Sequence, residues 1–266
     1  WQQLSLDPRV FMFFSLVRYA LTAAVRDRMI ITMIVLFLLG ASLSIFLGSS
    51  AIVEKDKFAV VFAAGGLRLI GVLGLVLFVV FFIRRSFDGR DIDYLLSRPV
   101  GRLEFLGAFA LGFSLLAAIL GLAQGLCIYA ISPRLFDTGH LLWTASIVVE
   151  NVIMVNTALF FAMWISSAST AGMIIIAFYV LARMMGQILG ILDVTPTAQP
   201  MTHIMALAMQ MISAVTPRLD LMGQSSWLIY GPDSNGISFL YVFVQGAVFT
   251  ALVLMAAMID LVKRQF

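Results

Sequence analysis

Six stretches of this chain are each long and apolar enough to fill a bilayer, and that leaves few folds open to it. A helix crossing about 30 Å of hydrocarbon needs roughly 20 mostly apolar residues. Such runs lie near 29–52, 58–83, 103–131, 141–165, 169–192 and 237–262. In lipid a backbone must satisfy its own hydrogen bonds, so runs of this length are read as helices. Composition agrees: 62% of the 266 residues are hydrophobic and 12% charged, too few charges to coat a soluble domain of this size. The expectation is a single all-α integral membrane domain, 1–266, with six transmembrane helices. Ser166, Ser167, Ser169 and Thr170 divide the fourth span from the fifth.

Ahead of the first span, Val10, Phe11, Phe13, Phe14, Val17, Leu21 and Ala24 recur at helical spacing, with Arg18, Thr22 and Arg26 between them. This pattern predicts a basic amphipathic helix over 9–28 lying in the headgroup plane. Trp1 in place of Met implies that residues precede it.

Lys and Arg set the expected orientation. With the N terminus inside, Arg9, Arg18, Arg26, Arg28, Arg84, Arg85, Arg90, Arg98, Arg102, Lys263 and Arg264 are cytoplasmic. Only Lys55, Lys57, Arg134 and Arg218 are outside. Both termini are therefore expected in the cytoplasm, and 193–236 outside. There Pro196 and Pro200 break the fifth helix, and the apolar residues after them predict a short helix on the outer surface. Pro217, Gly223, Gly231 and Pro232 predict an irregular return, with Trp227 and Tyr230 in the headgroup belt.

The chain carries no phosphate-binding loop and no HExxH zinc motif. ATP hydrolysis and enzyme activity are not expected of it, and nothing points to nucleic acid. Met201, Met205, Met209 and Met211 with His203 offer soft metal ligands, but the first three methionines sit at helical spacing and more simply fill an apolar face. No metal site is expected. Cys127 reads as a small core residue.

Three charges fall inside spans, where they are costly and face protein or water. Arg68, Glu150 and Arg183 each lie about nine or ten residues below the outer end of their spans, roughly 14 Å deep. One common depth predicts one polar cluster, with Asn151 or Gln187 nearby. It serves either as an ion pair fixing helix register or as the lining of a path for an anionic or amphiphilic substrate. Gly121 and Gly125, and Gly186 and Gly190, form GxxxG pairs that let helices approach closely, within the chain or between copies.

The longest charged run, 84–102, reads RRSFDGRDIDYLLSRPVGR. Ile92, Leu95 and Leu96 make an apolar stripe, Asp91 and Asp93 stand near the start of a short helix, and Pro99 ends it. This loop resembles the G-T-(I/L)-(E/D)-x-L-L-(S/A)-x-P-(V/I)-x-R pattern between the second and third spans of ABC-2 type transporter permeases. The N-terminal amphipathic segment is similar to that family's elbow helix. Pro217-Arg-Leu-Asp220 resembles the element before its last span, and the ending Val262-Lys-Arg-Gln-Phe266 its basic-aromatic tail.

The resemblance implies a permease subunit of an ATP-binding-cassette exporter in a bacterial cytoplasmic (inner) membrane. Phe87, Asp91, Asp93, Tyr94, Leu95, Leu96, Arg98 and Pro99 would engage a separate ATPase subunit, which would bind ATP and Mg. A second permease copy would complete a homodimer, with the second and fifth spans lining the path and lipid surrounding the whole. Two alternatives stay open on the residues themselves: a proton-coupled secondary transporter using Glu150, and a membrane-embedded scaffold or enzyme.

Overall fold

A computed structural model describes residues 8–50, 52, 54–89, 101–194, 207–209, 211–213, 216–232 and 237–263. Every regular element among them is helical. The long helices are α1 (Pro8–Arg26), α2 (Met29–Ser49), α3 (Lys55–Asp88), α4 (Arg102–Ile131), α5 (Thr138–Trp164), α6 (Ala168–Val194) and α7 (Phe239–Lys263). The last six are long and apolar enough to cross a bilayer. This is an all-α, multi-pass membrane protein. An even number of crossings brings both ends of the described chain to one face, called here the terminal face.

Burial is highest in the span that carries the most buried polar groups. α5 has the lowest mean hydropathy, 1.7, and the highest buried share, 78%; α2 has 2.7 and 22%. Glu150, Asn151, Asn156 and Thr157 on α5 must be enclosed by protein, so α5 becomes the central helix. It packs against α3, α4, α6 and α7. Asp137 caps its start, accepting from the Thr138 N–H at 2.6 Å. α6 is nearly as weakly apolar, with mean hydropathy 1.8, yet only 28% of it is buried.

α3 has 34 residues, about 51 Å of helix, and outruns the bilayer core. It continues five residues past the expected end of the second span. The stretch 84–88, expected as the start of a loop, is therefore the last turn of a helix. Two ion pairs hold it there: Arg84 with Asp88 at 3.3 Å, one turn apart, and Arg85 with Asp27 at 2.6 Å. α4 begins after Gly101, whose N–H is met by the Glu104 carboxylate at 3.3 Å.

α1 is a separate helix, set off from α2 by Arg28 in a left-handed conformation with φ 56°. It lies against α4 and α2. The face it buries is Leu16, Val17, Ala20 and Ala24, whereas Phe14 is 60% exposed. The expected stripe included Phe14 and omitted Leu16 and Ala20. Ala20 seats closely against Gly112 of α4, where an added Cβ would lie 3.0 Å from the Ala20 Cβ, so this face of the helix favours a small side chain.

The first GxxxG pair serves packing within the chain. A Cβ on Gly121 would come within 2.9 Å of the Val148 Cα, and one on Gly125 would strike Thr144, so both glycines admit α5. Gly121→Leu is expected to destabilise the bundle by about 2–3 kcal/mol, read as lost thermal stability in detergent. A Cβ on Gly190 meets nothing within 4 Å, so Gly190→Leu is the matched control.

Candidate functional site

Three spans deliver one charge each to a common point. Arg68 Nε of α3 lies 3.3 Å from Glu150 Oε2 of α5. Arg183 Nη1 of α6 lies 4.0 Å from the same oxygen. Tyr179 sits one turn before Arg183 on α6 and donates its hydroxyl to Glu150 Oε1 at 2.9 Å. The sequence expectation of one cluster thus corresponds to a physical constellation, and Tyr179 joins it.

Each guanidinium carries five N–H donors, and one carboxylate cannot absorb them all. The surplus goes to backbone carbonyls of the irregular segment after Pro217. Arg68 Nη2 donates to Gly223 O at 2.6 Å and to Met222 O at 3.2 Å. Arg183 Nη1 donates to Met222 O at 2.7 Å and also to Leu219 O. Gly223 has φ 56°, and a Cβ there would strike the Arg68 guanidinium. This segment does not simply return along the surface as expected. It folds into the bundle, with Leu219, Met222, Trp227 and Leu228 buried.

Trp227 is 1% exposed and packs its carbonyl against Gly139 of α5, so it is no headgroup-belt residue. Tyr230 is exposed, with Lys57 Nζ 5.6 Å from its ring centre.

Asp220 completes the electrostatics. Its carboxylate takes Arg218 at two points, Nε at 3.0 Å and Nη2 at 2.9 Å. That bond holds the Arg218 guanidinium above its ordinary pKa. Gly186 of α6 makes room for the Asp220 carboxylate. Three arginines then face two carboxylates, a formal surplus of one positive charge. Access is uneven: the Glu150 side chain is 0% exposed, Arg68 7% and Arg183 28%. The charge presented outward is a guanidinium.

A tier of amides lies beside the cluster. Gln124 of α4 donates to Leu67 O at 2.7 Å and accepts from Asn151 at 3.0 Å. Gly71 of α3 leaves space for that Gln124 amide. Asn151 is therefore committed to α4. Gln187, the other expected neighbour, is exposed on α6. Asn156 bonds Ser114 at 2.9 Å and Val152 O at 2.8 Å. His140 is buried, with Nε2 3.2 Å from Gly125 O, and links α5 to α4.

Of the residues expected to contact an ATPase, Phe87 lies in the last turn of α3, partly buried, with the Arg84 guanidinium 5.7 Å from its ring centre. Asp91, Asp93, Tyr94, Leu95, Leu96, Arg98 and Pro99 lie outside the described residues, as does His203. Among the described residues no group of three His, Cys, Asp or Glu side chains is placed to hold a metal.

Tyr179 and Gln124 were missed from sequence. Tyr179 had a signal, its four-residue spacing from Arg183. The carbonyls of 219–223 had none. Comparison with protein-family models and with curated proteins finds no match to this chain.

Proposed function

We propose that the chain is the permease subunit of an ATP-driven exporter, moving a lipid-like, amphiphilic or anionic substrate with energy from a separate ATP-binding-cassette subunit. The observation that carries this reading is the continuity of α3. One unbroken helix leads from Arg68, in the polar cluster, to Asp88, at the threshold of the loop that resembles a coupling element. The separation is about 30 Å, and a helix transmits a push over that length as a rod. The terminal face, with its arginines, is then the cytoplasmic side of a bacterial inner membrane. The ATPase, carrying ATP and Mg, docks at 86–98.

Two further features support the same reading. Arg183 is half-buried and more accessible than Arg68 or Glu150, which suits a substrate bearing negative charge. α6 is only modestly apolar yet poorly covered, and Gln187 and Gly190 are exposed on it. A second copy of the chain covers such a face better than lipid does. Closure of the ATPase dimer would tilt α3 and α6 and rework the cluster between the two copies.

The test is co-expression with an ATPase encoded beside this chain. The wild-type pair is expected to co-purify and to hydrolyse ATP faster than the ATPase alone. Asp93→Lys and Leu95→Glu are expected to cut that stimulation at least tenfold, about the 1.4 kcal/mol of one lost charged or apolar contact at the joint. Full stimulation in both variants, or none in the wild type, overturns the assignment.

A further inference from the structure

On the terminal face, two adjoining cavities separate polar from apolar lining. The first, about 350 Å³, is bounded by Tyr19, Thr22 and Arg26 of α1 and by Phe82 and Arg85 of α3. Positions 19, 22, 23 and 26 share one face of α1, and 82 and 85 one face of α3, so helical spacing aims both arginines into one chamber. The second, about 410 Å³, is walled by Met29, Leu77, Phe78 and Phe81. Asp27, Phe82 and Arg85 border both. Each volume is in the range of small-ligand sites.

The charge at this crevice is positive. Among the lining residues Arg26 and Arg85 stand against Asp27, two against one. Asp27 is committed to Arg85 at 2.6 Å and Asp88 to Arg84 at 3.3 Å. Among the described residues Arg26 forms no ion pair. The apolar chamber opens sideways: Leu77 is 41% and Phe81 54% exposed, on the flank of α3 where lipid tails would run. A cationic chamber with hydroxyls stacked on an apolar one matches an anionic head joined to an acyl chain.

We propose that this crevice between α1, α2 and α3 binds one anionic phospholipid of the surrounding leaflet. The phosphate sits between Arg26 and Arg85, and an acyl chain lies along Leu77, Phe78 and Phe81. The site is separate from the Arg68 cluster and does not depend on the transport reading.

Native mass spectrometry of the detergent-purified full chain tests it, with phosphatidylglycerol and phosphatidylcholine of matched chains as probes. Phosphatidylglycerol is expected to bind at least fivefold more tightly. Arg26→Gln with Arg85→Gln is expected to erase that preference, at about fivefold per arginine. Leu77→Trp fills the apolar chamber without touching the Asp27–Arg85 pair, and is expected to weaken phosphatidylglycerol binding about tenfold. Arg134→Gln, outside this crevice, leaves binding unchanged. Three results overturn the proposal: equal binding of the two lipids, undiminished phosphatidylglycerol binding in the double variant and in Leu77→Trp, or displacement by soluble glycerophosphoglycerol at the lipid's own concentration. The last would make the ligand a free phosphate ester.

Discussion

Glu150→Ala is expected to lower the unfolding free energy by about 3–5 kcal/mol, the largest loss of any single polar substitution in this chain. Glu150 is wholly buried and is the nearest anion to both Arg68 and Arg183. Removing it leaves two guanidinium groups facing each other inside the bundle and strips Tyr179 of its acceptor. The cost is that of orphaned buried charge, not the net worth of an ion pair. A second variant separates the two. Replacing Arg68, Glu150 and Arg183 together by Met, Leu and Leu removes every orphaned charge and leaves only neutral groups, the Tyr179 hydroxyl and the carbonyls of Leu219, Met222 and Gly223, without those partners, which costs less than a buried unpaired charge. Thermal or denaturant unfolding in detergent should therefore rank the single variant well below the triple one. Equal destabilisation of the two would mean that packing at this point matters and charge does not.

Gly223→Ala is expected to cost about 3 kcal/mol through two effects that add. A non-glycine residue at φ 56° is disfavoured by about 1–2 kcal/mol. The new Cβ also displaces the Arg68 guanidinium from the Gly223 carbonyl, a charge-assisted bond of about 1.5–3 kcal/mol. The loss should be local as well as global. With one of its two arginine clamps opened, 217–230 should become accessible, and a cysteine replacing buried Leu228 should react with a thiol reagent much faster in the Gly223→Ala background. Gly231→Ala separates the causes. Gly231 has φ 78° and ψ 178°, a region that only glycine readily enters, and a Cβ there meets nothing nearer than 3.5 Å, so its loss is a backbone penalty of its own size with no arginine displaced and no gain in Leu228→Cys reactivity through Arg68.

The six spans were legible because each is a side-chain pattern longer than any soluble helix requires. The cluster was legible for a related reason: a charge inside a span has few legal positions, and Arg68, Glu150 and Arg183 shared one depth. What could not be read was the other half of their bonding. The acceptors at Leu219, Met222 and Gly223 are backbone carbonyls, which every residue carries, so no pattern of residue types marks them. Proline and glycine at 217 and 223 announced an irregular path but not that it turns inward. Trp227 misled because an indole suits a headgroup belt and a buried site in the bundle equally well. The face of α1 was misjudged for a comparable reason. Phe14 is more apolar than Ala20, but close approach to Gly112 selects the smaller side chain.

The inward fold of 217–230 also bears on how the chain is made. Chains emerge and insert from the N-terminal end. The carbonyls that take the remaining donors of Arg68 and Arg183 therefore join the fold after α3, α5 and α6 have been synthesised. The remaining donors of these arginines are thus met by a piece of later sequence, the one that leads into α7. The cluster is complete only once that later piece has joined it.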